Sequence, residues 1–419
     1  MKILADYLKR QSIPEVFFEK SADKNLRCIV VIPSINEENP DLTLLSLMSC
    51  VAPVFSIEVF FVFNSSESAE FQVIQKNLEG IEKIQLIESK LPQWMKIHTF
   101  NFSNLPKKHA GAGLARKLGM DAAIQRFCDN SIKNGLILCL DADCTVNNYY
   151  FVKAYEEFVI NKQNLIIFGF THLNDLNNPP ENLKAAALYE VYLRYYKIAL
   201  KISGFPYSVH TVGSCFGIEA ENYCKHGGMN KKQAGEDFYF IQKVIPNSKF
   251  VEINSPVVFP SPRISNRVPF GTGAEITSIV ANGGYLNVYS LEAFLVLKEF
   301  FGFVEFYYNS TNMEIAVKFA SFHPALSLFL ESCGFLDELI EIKKNVSGFE
   351  SFKKRFFNVF DGFRIVKFLN FSHLELFQKK SVESQSKLLL ALLGINAEQL
   401  GLQDLNSKLL EIEMNGGVI

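Results

Sequence analysis

The segment Leu136-Ile137-Leu138-Cys139-Leu140-Asp141-Ala142-Asp143 indicates the fold class, because an unbroken apolar run leads directly into two aspartates. A short apolar run without alternating polar residues is typical of a strand that is covered on both faces. Similar runs are separated by segments with helical spacing, and strands that alternate with helices pair in parallel through right-handed crossovers. The predicted strands are 27–32, 57–63, 97–102, 136–140, 165–170 and 249–253, and the predicted helices are 42–48, 113–127, 181–202 and 238–245.

The chain divides by pattern into three parts. Residues 1–25 are predicted to form a short N-terminal helical segment, and residues 26–275 carry the alternation of strands and helices. Residues 276–419 have helical spacing to the end and contain 18 of the 39 phenylalanines. The sequence therefore predicts an α/β domain, with a mostly parallel sheet flanked by helices, followed by an all-helical C-terminal domain.

Composition excludes several classes of protein. The 42 Lys and Arg residues against 44 Asp and Glu give a net charge of −2, so no basic excess is present for binding nucleic acid. No apolar run is long enough for a transmembrane segment or a signal peptide. The eight cysteines include no CxxC pair and are typical of reduced thiols. We expect a soluble, cytoplasmic protein, and the sequence leaves peripheral membrane association open.

Asp141 and Asp143 are the first candidates for chemistry. The carboxyl ends of parallel strands meet at one edge of a sheet, so these aspartates should lie beside residues 33–37 and 64–68. Two carboxylates at a strand end can share one hard cation, and oxygen ligands suit Mg²⁺ or Mn²⁺. Such a cation would neutralise a diphosphate leaving group. A pair of aspartates that caps a strand-to-helix turn is the alternative interpretation.

Glu236 and Asp237 are the second candidates, because they open a helical pattern after Gly235. A carboxylate that is held at a helix start can act as a general base and take the proton of an acceptor hydroxyl. Acidic residues in a first helical turn are also favoured by the helix dipole alone. The spacing by itself does not separate the two interpretations.

Two basic segments could bind an anion. Arg263 and Arg267 lie four residues apart in a loop with prolines and glycines, and arginines can grip phosphate oxygens with two hydrogen bonds each. Gly111 opens a glycine-rich helix start that contains Arg116, and free backbone amides at such a start can bind an anion. A solvated loop and an ordinary helix N-terminus are the alternative interpretations.

The order of these segments resembles that of family-2 glycosyltransferases, which have the Rossmann-like GT-A fold. The resemblance covers residues of about 26–275 and does not extend to the helical part after 276. The matching segments are Pro33-Ser34-Ile35-Asn36-Glu37, Asn64, residues 111–119, Asp141-Ala142-Asp143, residues 213–217 and Gly235-Glu236-Asp237.

The resemblance implies roles on the donor side. Asn64 stands where many family members have an aspartate that contacts the base, which leaves the base preference open. Asp143 would be the metal ligand, and Asp141 would face the ribose or the metal. The remaining residues implied at the nucleotide-sugar site are Pro33, Ser34, Asn36, Glu37, Gly111, Arg116, Arg263 and Arg267.

On the acceptor side, the resemblance implies that Asp237 is the catalytic base and that Glu236 supports acceptor binding. The expected reaction is an inverting, Mn²⁺- or Mg²⁺-dependent transfer of a hexosyl or related sugar from a nucleoside-diphosphate sugar to a saccharide or lipid-linked acceptor. Two alternatives are a nucleotidyltransferase and a catalytically silent nucleotide-sugar-binding or scaffold protein. The segment 33–39 contains no Lys or Arg for a triphosphate, which disfavours the nucleotidyltransferase.

Overall fold

The computed structural model describes residues 1–11, 16–173, 178–231, 235–264 and 271–416, and the chain falls into two compact units. Unit 1 comprises Met1–Ala186 and Thr211–Ser278, and unit 2 comprises Ala187–His210 and Ile279–Ile419. The domain boundaries that the sequence suggests, after residues 25 and 275, stay predictions.

Unit 1 contains a mixed sheet, in which eight strands are found among the described residues in the order β3-β2-β1-β4-β7-β6-β8-β5. Pairs β1–β2, β2–β3, β1–β4 and β6–β8 are parallel, and pairs β4–β7, β6–β7 and β5–β8 are antiparallel. The strands are β1 (Leu26–Ser34), β2 (Ser56–Ser66), β3 (Met95–Leu105), β4 (Leu136–Cys139), β5 (Cys144–Val146), β6 (Leu165–Phe170), β7 (Phe216–Glu219) and β8 (Phe250–Pro260).

The six predicted strands are present, and β5 and β7 are additional. Both are short, and β7 carries Gly217, whose added Cβ would lie 2.6 Å from a side-chain carbon of Leu138 on β4. Strands of three and four residues are too short for a run or an alternation of apolar residues to be recognised by pattern. The predicted class, a mostly parallel sheet flanked by helices, is confirmed.

The predicted helices are present between the strands, and the structure contains further helices that the sequence pattern did not reveal. Single turns of 3₁₀ helix lie at Glu88–Lys90 and Ile245–Asn247, and a π-helical segment lies at Glu156–Ile160. The α-helices that begin before residue 279 are α1 (Lys2–Arg10), α2 (Pro40–Met48), α3 (Phe71–Ile87), α4 (Ala112–Asp129), α5 (Tyr150–Tyr155), α6 (Pro180–Ile202), α7 (Ala220–Lys225), α8 (Glu236–Val244) and α9 (Thr272–Ala281).

Helix α4 is buried over most of its length, because it packs against the parallel half of the sheet. Gly119 lies at this contact, and a Cβ on it would come within 2.5 Å of Val31 Cγ1 on β1 and 2.8 Å of Val62 Cγ2 on β2. The absence of a side chain at residue 119 therefore sets the close approach of the helix to the two strands.

Unit 2 is helical, apart from a two-residue antiparallel pair, β9 (Asn287–Val288) with β10 (Lys380–Ser381). The predicted helical C-terminal part is confirmed, and Gly394 follows the helix Val382–Leu392 with a φ of +79°, as expected for a glycine that ends a helix. Residues 187–202 of α6 and 279–281 of α9 belong to this unit. The helices that lie wholly within it are α10 (Leu291–Gly302), α11 (Val304–Asn309), α12 (Asn312–Ser321), α13 (Pro324–Ser332), α14 (Phe335–Lys344), α15 (Phe349–Val359), α16 (Gly362–Glu375), α17 (Val382–Leu392) and α18 (Leu402–Met414).

Phenylalanines form much of the core of unit 2. The ring of Phe300 has its centroid 4.9 Å from that of Phe360 and 5.6 Å from that of Phe356, which are distances typical of aromatic pairs in contact. Among the described residues, none of the helices combines the length and the apolar character that crossing a membrane requires.

Replacement of Gly119 by alanine should destabilise the protein, because a methyl group at the contact between α4 and the sheet overpacks it. Overpacking of a well-packed core costs about 1–3 kcal/mol, so the urea midpoint followed by circular dichroism should fall. The matched control is Gly302→Ala, since an added Cβ at the end of α10 meets nothing within 4 Å. Equal midpoints for the two variants would contradict this account.

Candidate active site

The carboxyl ends of β1, β2 and β4 lie side by side, as their parallel registers require. Ser34 is paired with Phe63 in the β1–β2 ladder, and Val31 is paired with Cys139 in the β1–β4 ladder. The last residues of these strands and the segments that follow them therefore share one edge of the sheet. Asn64 lies near the end of β2, and Asn36, Glu37, Asp141 and Asp143 lie in the segments after β1 and β4.

Two antiparallel pairs bring later parts of the chain to the same edge. Strand β7 begins here, because Phe216 is paired with Cys139 at the end of β4. Strand β8 ends here, because Pro260 is paired with Cys144, the residue after Asp143. Neither approach is visible in the sequence, since β5 and β7 give no recognisable pattern.

Asn64 is fully buried and bonds to three segments. Its side-chain amide donates to the Ser34 carbonyl (3.4 Å), its side-chain oxygen accepts from the Gly111 N–H (3.2 Å), and its own carbonyl accepts from the Asn77 amide (2.8 Å). Asn77 also accepts from the Asn36 N–H (2.9 Å). The two asparagines thus hold the ends of β1 and β2 against the start of α4. Asn77 was not predicted, because a single polar residue within the pattern of α3 gives no signal.

The residue before α4 has to be glycine. Gly111 has φ +149° and ψ −177°, a conformation that residues with a Cβ rarely adopt. It allows the Gly111 N–H to reach Asn64, so the glycine-rich helix start is used here to position backbone.

Pro33 and Ser34 are buried at the end of β1, and the Ser34 hydroxyl has no hydrogen-bond partner among the described residues.

Arg116 joins both predicted acidic pairs. Its guanidinium donates to Asp141 Oδ1 (2.6 Å) and to Glu236 Oε1, and the residue is 3% exposed. Burial alone would lower the pKa of this guanidinium, but Asp141 and Glu236 raise it above its ordinary value. Gly213, before β7, makes room for this side chain, because a Cβ there would lie 2.7 Å from Arg116 Nη2.

Arg263 joins two other carboxylates. Its guanidinium donates to both oxygens of Glu37, with 2.5 Å between Nη1 and Oε1, and to Asp143 Oδ2 from Nε (3.1 Å) and Nη2 (2.9 Å). The segment after β8 therefore contacts the segments after β1 and β4. Arg267, which was predicted to act with Arg263, lies outside the described residues.

Asp237 is the partly buried neighbour of Glu236 in the first turn of α8. Removal from water and the nearby Glu236 carboxylate raise its pKa to about 7, although Arg116 and a hydrogen bond from the Phe238 N–H (2.7 Å) act in the opposite direction. A carboxylate whose pKa is near neutrality can accept a proton from a hydroxyl more readily than an ordinary aspartate.

Asp141 and Asp143 have the donor chemistry of a magnesium or manganese site but do not form a complete one. In the part of the chain that the structure describes, no group of three or more His, Cys, Asp and Glu side chains could hold a metal ion. Mg²⁺ is commonly held by one or two carboxylates, with substrate phosphates and water as further ligands. The two aspartates fit this second kind of site, in which the ligand completes the coordination.

The predicted site residues that the structure describes thus lie at or beside one edge of the sheet. No protein-family model matches the chain, and no curated protein matches it. The roles of the predicted site residues in binding and catalysis stay predictions.

Solved structures of S. aureus TarS are similar to this chain. TarS residues 1–349 in complex with UDP-GlcNAc is 13% identical over 93% of this chain and 92% of that chain, with a TM-score of 0.40. The same fragment without a stated ligand is 12% identical over 94% and 83%, with a TM-score of 0.41. The match to its UDP complex is 14% identical over 56% of this chain and 60% of that chain, with a TM-score of 0.37. These likenesses are distant, and none of them assigns a role to a residue of this chain.

Replacement of Arg116 by methionine should destabilise the fold strongly, because it leaves the Glu236 carboxylate, 5% exposed, without its guanidinium. Breaking a buried ion pair from one side costs about 3–5 kcal/mol, measured as the change in the free energy of unfolding in urea. The matched control is Arg364→Met, which removes a guanidinium from the more exposed Glu338 and should cost less than about 1 kcal/mol. Similar losses in both variants would show that Arg116 is not the tie described above.

Replacement of Asp237 by asparagine should change how stability depends on pH. An aspartate in the unfolded chain has a pKa of about 3.9, and folding raises the pKa of Asp237 to about 7. Between these values the folded protein binds a proton that the unfolded chain has lost, so this residue makes stability fall as pH rises from about 4 to about 7. The Tm of D237N relative to wild type should therefore rise over that range and level off above it. The exposed Asp129→Asn variant gives the background, and a constant difference for D237N would contradict the raised pKa.

Proposed function

We propose that this protein is an inverting glycosyltransferase of the GT-A type, which transfers a sugar from a nucleoside-diphosphate sugar to an acceptor hydroxyl. The observation that supports this most directly is the tie made by Arg116, which joins Asp141, from the predicted metal pair, to Glu236, beside the predicted base. Donor and acceptor chemistry need to be aligned within one site, and this tie brings their two sets of carboxylates together.

On the donor side, Asp143 and Asp141 would hold Mn²⁺ or Mg²⁺, and a bound ion would neutralise the charge that develops on the diphosphate leaving group. The nucleoside would lie against the segment Pro33–Glu37 and the start of α4. Asn64 would act there by fixing Ser34 and Gly111, since its side chain is buried and bonded to both.

On the acceptor side, Asp237 would take the proton of the acceptor hydroxyl as the acceptor oxygen forms its bond to the anomeric carbon. The bond from that carbon to the diphosphate oxygen breaks, and the diphosphate leaves with the electron pair. A single displacement of this kind inverts the anomeric centre and requires no second carboxylate as a nucleophile. Glu236, held by Arg116, would orient the acceptor and keep Asp237 at the start of α8.

Binding of a nucleoside diphosphate tests the donor half of this proposal. UDP, GDP and CDP are titrated by calorimetry with Mn²⁺ or Mg²⁺ and then with a chelator, and one of them should bind in a metal-dependent way. A ligand at 100 times its Kd should also stabilise the fold by about 2.7 kcal/mol. Asp143→Asn should weaken metal-dependent binding at least about tenfold, whereas the exposed Asp129→Asn should not.

Turnover of the sugar form of that nucleotide tests the catalytic half. With acceptor glycans or lipid-linked saccharides, wild type should release the nucleoside diphosphate, and Asp237→Asn should bind the donor normally but transfer at least about a hundredfold more slowly. No binding of any nucleotide would overturn the proposal altogether. Normal binding with no turnover, in wild type and D237N alike, would favour a silent nucleotide-sugar-binding protein.

A further inference from the structure

Arg263 lies between two carboxylates that come from different strands. Glu37 follows β1 and Asp143 follows β4, and the guanidinium bonds to both oxygens of the first and to Oδ2 of the second. Its planar fork matches a carboxylate in geometry, so the contact with Glu37 has the form of a bidentate ion pair. The structure therefore shows Glu37 and Asp143 converging on one positively charged group.

This convergence has an electrostatic reason. The Glu37 side chain is 5% exposed and that of Asp143 is 26% exposed, so water screens their mutual repulsion only in part. A positive group between them offsets the repulsion. An arginine keeps its charge at any pH at which the protein is folded, so the positive group between the two carboxylates is permanent.

We propose that Arg263 is a displaceable internal counter-ion. It neutralises Glu37 and Asp143 in the ligand-free protein, and a divalent cation has to compete with it for Asp143. This inference rests on the proposed function, in which Asp143 is the metal ligand. The displaced guanidinium would need a new anionic partner, and a diphosphate supplies one. Metal and nucleoside diphosphate should therefore bind cooperatively, and metal alone should bind weakly.

The counter-ion role requires a side chain that has access to water, and the two arginines of the site differ in this exposure. The Arg263 side chain is 24% exposed, so its guanidinium has access to water when it leaves the carboxylates. The Arg116 side chain is 3% exposed and is packed against Gly213, so it has no comparable way out. Exchange of partners is thus assigned to Arg263, and a permanent structural tie to Arg116.

Binding of Mn²⁺ alone to the full chain tests the proposal, with free Mn²⁺ measured by electron paramagnetic resonance and no nucleotide present. Arg263→Met should bind Mn²⁺ at least about tenfold more tightly than wild type, because the competitor is removed while a side chain of similar length remains. The double variant R263M/D143N should lose this gain. The matched control is Arg364→Met, which breaks another two-bond pair of an arginine with a glutamate and should leave Mn²⁺ binding unchanged.

A second measurement keeps the proposal decidable if R263M does not fold. In wild type, UDP, GDP or CDP should increase the affinity for Mn²⁺ at least about tenfold, and Arg263→Lys, which keeps the charge, should bind Mn²⁺ alone within about threefold of wild type. The counter-ion role is overturned if R263M binds Mn²⁺ no more tightly than wild type. It is also overturned if R263K binds Mn²⁺ at least about tenfold more tightly than wild type, which is the gain expected for R263M alone. The measurements with Mn²⁺ alone need neither donor nor acceptor, so their failure is distinct from failure of the proposed sugar transfer.

Discussion

The candidate site depends on the ion pairs of the buried Arg116 guanidinium, which bonds to carboxylates from two distant parts of the chain. Asp141 follows β4, Glu236 opens α8, and the arginine itself lies on α4. A charge at 3% exposure has to be paired where it lies, so the positions of the strand end and the helix start are constrained together. Gly213 belongs to the same constraint, since any larger residue would occupy the space of the guanidinium.

The electrostatics of the site follow from an excess of carboxylates. Among the described residues it contains Glu37, Asp141, Asp143, Glu236 and Asp237, with the guanidiniums of Arg116 and Arg263 between them. The carboxylates raise the pKa of both arginines above its ordinary value, while the pKa of Asp237 is raised by its removal from water and by Glu236. The same excess that makes one carboxyl group basic would also supply the cation ligands that the proposed function requires.

The sheet topology explains why these residues meet at one edge. The parallel half, β3-β2-β1-β4, places the ends of β1, β2 and β4 together, as in other open α/β sheets. The antiparallel strand β7 starts at that edge, so the residues just before Phe216, among them Gly213, lie there. The β5–β8 pair brings the residues after Pro260 beside Asp143. Contacts such as that of Arg263 with Asp143 depend on these two antiparallel pairings.

The sequence by itself determined the alternation of strands and helices, the helical character of unit 2, and the grouping of Glu37, Asn64 and Asp141 at strand ends. Each of these depends on local pattern, because continuous apolar runs and helical spacing are properties of neighbouring residues. Only the tertiary structure decided that Arg116 pairs with Asp141 and Glu236, that Arg263 joins Glu37 to Asp143, and that Asn64 is used to fix backbone. These contacts connect residues 25 to 226 positions apart, and no local pattern specifies which distant charge a buried charge will meet.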